Sequence, residues 1–223
     1  MFNYHQIAFK MSSPVCFYDR PCFDSLIVYC HLREEHGDIR HDLNTATENL
    51  DEFPGLPIEY HPDGYPIASL MMFDKTECLE DIQRIKKRWC SKHDALSDFG
   101  KAKRRIDTGK GHFKSFDLPL PLYHIDKVYF YFKGDADKVK YLIDKHLRGI
   151  GKKTAIGYGE FSSYKIQDAH ERIFEDMLLR PIPVEYACFS RQFQTTPHHI
   201  RYCGYRPSYY KPENMKKCVY PNL

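Results

Sequence analysis

Two amphipathic helix patterns, each placed between strand-like segments, constrain the fold of this chain more than any other feature. The first has the i, i+3, i+4, i+7 spacing of one apolar helical face: Phe23, Leu26, Ile27 and Cys30. The second repeats the pattern with Val139, Leu142, Ile143 and Leu147. Asp19 and Pro21 indicate the start of the first helix, and Gly37 indicates its end. Asp135 is placed to cap the second helix and Gly149 to stop it.

Strand-like segments flank both helices at residues 6–11, 67–73, 127–132 and 157–166. The order strand, helix, strand, repeated twice, is typical of the RRM-like or ferredoxin-like split βαβ arrangement. We therefore expect an α+β protein whose RRM-like domain spans residues 1–169. Within it, residues 38–66 carry four prolines and are predicted to be a long surface loop. Residues 170–223, rich in Pro and Tyr, are predicted to be an irregular extension packed on the domain.

The charge of the chain is unevenly distributed, although the net charge is only +3. Residues 1–83 hold 5 Lys and Arg against 15 Asp and Glu, a balance of −10. Residues 84–114 hold 11 Lys and Arg against 3 Asp, a balance of +8. Such a basic block, placed between the second and third predicted strands, indicates a polyanionic partner. The acidic first third instead suits a basic protein neighbour.

The basic insert at about 84–114 combines cations with aromatic rings. Cations can follow a phosphate backbone, and aromatic faces can stack on unpaired bases. The candidate RNA-binding residues in it are Arg84, Lys86, Lys87, Arg88, Trp89, Lys101, Lys103, Arg104, Arg105, Lys110, His112 and Lys114. Two alternatives stay open: a solvated, partly helical charged loop, and a structural role for Trp89 as a core residue.

A glycine-rich loop follows the second helix. Its candidate RNA-binding residues are Arg148, Gly149, Gly151, Lys152, Lys153, Gly157 and Tyr158. We expect the glycines to let the backbone approach a ligand and expose N–H groups, and the cations to bind phosphate. The loop is not a Walker loop, because His146 and Lys153 stand where Gly and Ser or Thr belong. Thr154 likewise replaces the third glycine of the dinucleotide fingerprint. A tight helix-to-strand connection is the alternative.

This loop resembles that of the RAMP superfamily, the RNA-binding subunits of CRISPR effector complexes. The family pattern is a G-x-G-K/R stretch, a spacer, and G-F/Y-G before the last strand. Its counterparts here are Gly149, Gly151, Lys152, Gly157, Tyr158 and Gly159. The early Ser13-Pro14 turn is also similar. Residues 180–183 and 204–210 look most like the smaller, Cas-five-like RAMP of type IV CRISPR systems.

The resemblance implies a binding function rather than catalysis. Such a RAMP caps the 5′ handle of the guide RNA and one end of the effector complex, and it carries a thumb where the basic insert lies here. The implied partners are the CRISPR guide RNA, backbone RAMP subunits and a large subunit, with target DNA recognised by the assembly. No cofactor is implied.

The runner-up function is a metal-independent endoribonuclease that processes precursor guide RNA, with His112, His198 and His199 as candidate acids or bases. A third alternative is a general single-strand RNA-binding module. No metal site is predicted, because the Cys90 and His93 pair lacks a second pair. The longest apolar run, residues 128–132, cannot span a membrane. Without a secretory signal or a CxxC pair, a reducing cytoplasm of a prokaryote is expected.

Overall fold

The structure is a computed structural model that describes residues 3–37, 55–89, 109, 114–186 and 192–223. Its strands are β1 (Asn3–Met11), β2 (Val15–Cys16), β3 (Leu79–Lys87), β4 (Phe116–His124), β5 (Lys127–Gly134), β6 (Phe161–Asp168), β7 (Ile182–Pro183), β8 (His198–Gly204) and β9 (Met215–Pro221). Its helices are α1 (Phe23–His36), α2 (Ala136–His146), α3 (Arg172–Asp176) and α4 (Gln192–Thr195). Short 3-10 turns lie at Lys75–Glu77, Thr154–Ile156 and Pro212–Asn214. Helices combined with small antiparallel sheets make this an α+β protein.

The central sheet has the strand order β5-β1-β6, and both neighbours run antiparallel to β1. Alternate side chains of β1 point into the protein, so that Ile7 and Phe9 are fully buried. The buried faces of α1 and α2 cover this side of the sheet, with Phe23, Ile27 and Ile143 in the same core. The predictions of the first strand and of both helices are confirmed. The last strand begins at Phe161 rather than at Gly157, because residues 157–160 belong to the glycine loop.

Residues 67–73 are extended and buried, but they do not form the regular strand that was predicted. Isolated bridges connect Ala68 with Phe132 and Met72 with Tyr129, along the free side of β5. Between these bridges, Leu70 bridges Cys22 and its N–H donates to the carbonyl of Leu179. The backbone of this segment therefore bonds alternately to β5 and to Cys22 and Leu179 on its other side. This alternation prevents a continuous ladder with β5.

A long hairpin, absent from the sequence prediction, carries the basic insert. β3 pairs with β4 from Leu79 opposite His124 to Lys87 opposite Phe116, and β2 pairs with the other side of β4. The insert therefore begins inside a strand rather than in a loop. Pro119 and Pro121 lie within β4, and proline normally argues against a strand. Both can be accommodated because β2 pairs only with the far end of β4, at Leu122 and Tyr123.

Two further expectations are corrected by the described residues. Residues 55–66 were predicted to belong to a surface loop, but Leu56, Ile58 and Tyr65 are buried; residues 38–54 lie outside the described part. The tail was predicted to be irregular, but it contains an antiparallel sheet of order β7-β9-β8. Cys218 and Val219 of this sheet belong to a second core. Its other buried members are Tyr65, Leu178, Ile182 and Tyr205. The alternation of small, charged and aromatic residues in β8 and β9 is too weak to reveal two strands.

Candidate nucleic-acid interface

The glycine loop is folded tightly on itself. A Cβ on Gly159 would lie 1.9 Å from the carbonyl oxygen of Ile150, and one on Gly149 would lie 2.9 Å from the carbonyl oxygen of Gly159. Gly151 combines a φ of +93° with a predicted Cβ position 2.6 Å from the carbonyl oxygen of Cys16. These positions accept only glycine, because a side chain would displace backbone atoms. Lys153 also adopts the left-handed region, with a φ of 63°.

Backbone hydrogen bonds attach the loop to β2 and to the turn that precedes it. The N–H of Lys152 donates to the Cys16 carbonyl at 2.7 Å, and the N–H of Gly159 donates to the Pro14 carbonyl at 2.8 Å. The N–H groups of Ile150 and Gly157 donate to carbonyls within the loop itself. The expectation that the glycines expose N–H groups is therefore wrong for Gly157 and Gly159. Here the glycines permit close packing, and the cations remain available for a ligand.

The cations of the loop lie at the surface beside an aromatic ring. Arg148, Lys152 and Lys153 are exposed. The Nζ atom of Lys152 lies 4.7 Å from the centre of the Tyr18 ring, which is itself 53% exposed. Such an arrangement presents a positive charge and an aromatic face side by side, as a single-stranded nucleic acid requires. Tyr18 was not predicted from the sequence, because no spacing rule connects it with a lysine so distant in the chain.

Tyr18 and Tyr158 connect the glycine loop with the base of the hairpin. The Tyr18 hydroxyl donates to the Pro119 carbonyl on β4 at 2.9 Å. Tyr158 and Ile85, on opposite sides of this junction, are both partly buried against a small core of Cys16, Leu120 and Leu122. The structure thus brings the loop and the hairpin, two separate predictions, onto one connected surface.

Part of the predicted basic insert is described on the hairpin. Arg84, Lys86 and Lys87 lie on β3, Arg88 and Trp89 directly follow it, and Lys114 precedes β4. The Nε atom of Arg84 lies 3.1 Å from Asp117 Oδ1, and the Nζ atom of Lys86 lies 3.9 Å from Oδ2. The hydrogen bond from Arg84 lowers the pKa of the Asp117 carboxyl, and partial desolvation opposes this shift. One carboxylate therefore offsets part of the charge of these cations.

Six other predicted residues lie outside the described part of the chain: Lys101, Lys103, Arg104, Arg105, Lys110 and His112. The same holds for Cys90 and His93. Within the described ranges, no group of three or more His, Cys, Asp and Glu side chains is arranged to hold a metal ion.

The histidine pair of the tail lies on β8 and has hydrogen-bond partners. The Nδ1 atom of His198 lies 2.9 Å from the Thr196 carbonyl oxygen. The Nδ1 atom of His199 lies 2.7 Å from Asn222 Oδ1, and its ring contacts that of Tyr220. These contacts orient both imidazole rings within the tail.

Comparison with models of known protein families identifies the family of this chain. The family model described as CRISPR type IV associated protein Csf3 matches residues 68–221, well over half of the chain. The chain belongs to the Csf3 family. The resemblance to type IV CRISPR-associated proteins, inferred from the glycine loop and the tail, is confirmed. The matched range includes the hairpin, the glycine loop and the tail sheet.

Comparisons with curated proteins and with solved structures add little to this family assignment. No curated protein matches the chain. A chain in the cryo-EM structure of the Type III-B Cmr-beta bound to cognate target RNA is similar at 11% identity with a TM-score of 0.37, covering 76% of the present chain. The present chain spans 62% of the length of that chain. No helix of the described residues is long and apolar enough to cross a membrane.

Proposed function

We propose that this Csf3-family chain binds the 5′ handle of CRISPR guide RNA and caps one end of a type IV effector ribonucleoprotein. The observation that carries this proposal is the connected surface of the glycine loop and the hairpin, joined through Tyr18 and Tyr158. Its partners are the guide RNA, backbone RAMP subunits and a large subunit, and target DNA is contacted through the assembly.

The proposal includes an RRM-like RAMP core of the ferredoxin type. The extended segment 67–72 runs antiparallel to β5, on the side away from β1. With it, the order across the central sheet becomes β6, β1, β5 and segment 67–72. This is the order fourth, first, third, second for a chain that repeats strand, helix, strand twice, and it supports the proposed core.

The chemistry of the surface suits single-stranded RNA at its handle. Lys152 and Lys153 act as point charges for phosphates, and the Tyr18 face offers a platform for one base. The hairpin adds further cations: Lys87 alternates onto the face of Ile85, whereas Arg84 and Lys86 project from the opposite face of β3. Affinity then comes from phosphate contacts, and positioning comes from stacking and from the rigid base of the loop.

We further propose that the chain binds RNA without cleaving it. General acid-base cleavage needs a histidine or a similar group at the scissile phosphate. His198 and His199 lie on β8, and each has a hydrogen-bond partner in the tail, the Thr196 carbonyl and the Asn222 side chain. Contacts of this structural kind support binding alone.

The test compares two double substitutions that remove equal charge. Lys152→Ala with Lys153→Ala is expected to weaken handle RNA binding on the order of tenfold at physiological salt, because two phosphate contacts are lost. Lys138→Ala with Lys140→Ala, on exposed positions of α2, is the matched control and should lower affinity much less, through the lost net charge alone. Equal affinities of both variants would contradict the loop as a binding site.

Two further measurements separate the alternatives. Scrambled RNA should bind more weakly than handle RNA, since a general single-strand binder would show no difference. Repeat RNA incubated with the protein in EDTA should stay intact. Cleavage at a single site, abolished by His112→Ala, would replace binding alone with a guide-RNA-processing ribonuclease.

A further inference from the structure

Among the described residues, the hairpin has one strand edge with no strand beside it. β3 is the outer strand of the order β2-β4-β3, and no other described segment pairs with it. All nine of its residues are exposed except Ile85, which is partly buried. Two apolar side chains, Leu79 and Ile82, are each 67% exposed. An uncovered edge strand presents N–H and C=O groups to which another strand can bind.

The prolines of β4 determine which groups of β3 face outward. In an antiparallel pair, facing residues alternate between those that exchange two hydrogen bonds and those that exchange none. Pro121 faces Ile82 and Pro119 faces Arg84, and proline has no N–H to exchange. The Pro119 carbonyl accepts from Tyr18, away from β3. The N–H of Ile82 donates to the Asp81 side chain at 2.7 Å and not to β4.

It follows that Glu80, Ile82, Arg84 and Lys86 turn their backbone N–H and C=O groups to the free edge. The Asp81 side chain accepts from the N–H of Ile82 there, and an incoming strand would displace it. These four alternate positions share one face of the strand. An incoming strand must therefore match this set in its own hydrogen-bonding positions.

The charges along β3 are self-complementary. Glu80 and Asp81 lie in its first half, and Arg84, Lys86 and Lys87 lie in its second half. If a second β3 is laid antiparallel about a two-fold axis at Gln83, Glu80 faces Lys86 of the second copy. Ile82 then faces Arg84 of the second copy, so the apolar isoleucine side chain can contact the methylene groups of the arginine. The same register pairs the outward-facing positions with one another.

The described residues beside β3 fit the same arrangement. Asp74 and Glu77 precede β3 and are exposed, as is Lys75 between them, and Arg88 follows it. A parallel arrangement would instead place Arg84, Lys86 and Lys87 of the two copies side by side, and their repulsion opposes it.

We propose that the β3 strands of two copies of this chain pair antiparallel about Gln83 and form a symmetric dimer. A single strand pair buries less than the roughly 1,000 Å² of a stable interface, so the dimer exchanges rapidly with monomer. Exposed ion pairs are screened by salt, so high ionic strength weakens it. The pairing is tested without RNA, so its failure can be distinguished from a failure of the proposed function.

Sedimentation of the purified, RNA-free protein over a range of concentrations tests the pairing. The wild type is expected to form a dimer that weakens several-fold between about 50 mM and about 500 mM salt. Glu80→Lys and Lys86→Glu should each be monomeric, because like charges then face each other twice in the dimer. The double substitution restores opposite charges at both contacts and should restore the dimer.

Mixing the two single variants provides the most specific test of the pairing. The Glu80→Lys copy presents a cation at both positions, and the Lys86→Glu copy presents a carboxylate at both, so the two monomeric variants should form a dimer together. Lys140→Glu on α2 is the charge-matched control and should leave the wild-type dimer intact. Circular dichroism verifies that each variant is folded. A wild type that stays monomeric, or a dimer insensitive to both single reversals, would overturn the proposal.

Discussion

Asp24 of α1 and Arg180 of the tail form a buried ion pair, with 3.5 Å between Oδ1 and Nη1. Their side chains are 0% and 4% exposed. Arg180 also donates to the carbonyls of Ala68 and Tyr205, and Tyr209 donates its hydroxyl to Asp24. One guanidinium thereby links the first helix, the irregular segment beside β5 and the tail.

Removing one partner of this pair should destabilise the protein strongly. Arg180→Met leaves an uncompensated carboxylate in the interior, and Asp24→Asn leaves the buried guanidinium without its counter-charge. Each is expected to cost about 3–5 kcal/mol, whereas the double substitution should cost less than the sum. The free energy of unfolding in urea measures this. Asp19→Asn is the control, since the contact of Asp19 with Arg201 is exposed and contributes at most about 1 kcal/mol.

Gly159 and Gly157 provide a matched pair for testing the loop. Both have positive φ, at +71° and +93°, but only Gly159 would place a Cβ against backbone, whereas the nearest atom at Gly157 lies 4.0 Å away. Gly157→Ala should cost about 1–2 kcal/mol, from the left-handed conformation alone. Gly159→Ala should cost clearly more, because Ile150 must also move. Thermal unfolding decides this, and equal melting temperatures would mean that the loop is not tightly packed.

Local signals explain which elements could be predicted from the sequence. Asp135 is an N-cap at the predicted place, where its side chain accepts from the N–H groups of Asp137 and Lys138 at 3.1 Å. The apolar stripe of α2 is buried as its spacing indicates. Both features depend on residues within two helical turns of one another, and such patterns are visible in a linear sequence.

The missed elements depend on contacts between distant residues. β3 has no buried side chain to create an alternating pattern, and β4 contains two prolines. The position of Tyr18 beside Lys152 depends on the turn that attaches the glycine loop to β2. For the site, the sequence indicated that the loop carries cations, and Arg148, Lys152 and Lys153 are exposed, but it could not show that the loop and the hairpin meet.

The contact between α1 and α2 predicts a sensitivity to acid. Glu34 accepts hydrogen bonds from Lys145 and Tyr141, and His146 lies 2.6 Å from its other oxygen. Hydrogen bonding by Lys145, then by His146 and Tyr141, lowers the pKa of Glu34 to about 2. Because this pKa lies below the unfolded value of about 4.3, the stabilisation is present above that value and is lost as the pH falls toward 2.

Lys145→Met should remove the main cause of this shift and raise the pKa of Glu34. The variant should then lose less stability between pH 5 and pH 2, the range set by the unfolded and folded pKa values of Glu34. NMR titration of the Glu34 carboxyl and urea unfolding at each pH measure the two effects. Lys140→Met, also at an exposed position of α2, serves as the control. An unchanged titration of Glu34 in the Lys145 variant would refute this account of the helix contact.

The basic insert should make RNA binding strongly dependent on salt. A protein with about 6–10 phosphate contacts loses on the order of a thousand-fold or more in affinity between 50 and 200 mM salt. Reversing Lys103, Arg104 and Arg105 to Glu should remove three such contacts, which makes the slope of log affinity against log salt shallower by about 2 for a single strand. Fluorescence anisotropy with labelled handle RNA measures the slope directly.

The control for this experiment reverses three exposed lysines elsewhere, Lys127, Lys138 and Lys140. Long-range repulsion between the added carboxylates and the RNA lowers the affinity of both variants, since the net charge of the protein falls equally in both. Only the loss of direct phosphate contacts changes the number of released counterions, and so only the insert variant should change the slope. Equal slopes in the wild type and the insert variant would mean that the RNA does not follow the insert, and would restrict its path to the glycine loop and the base of the hairpin.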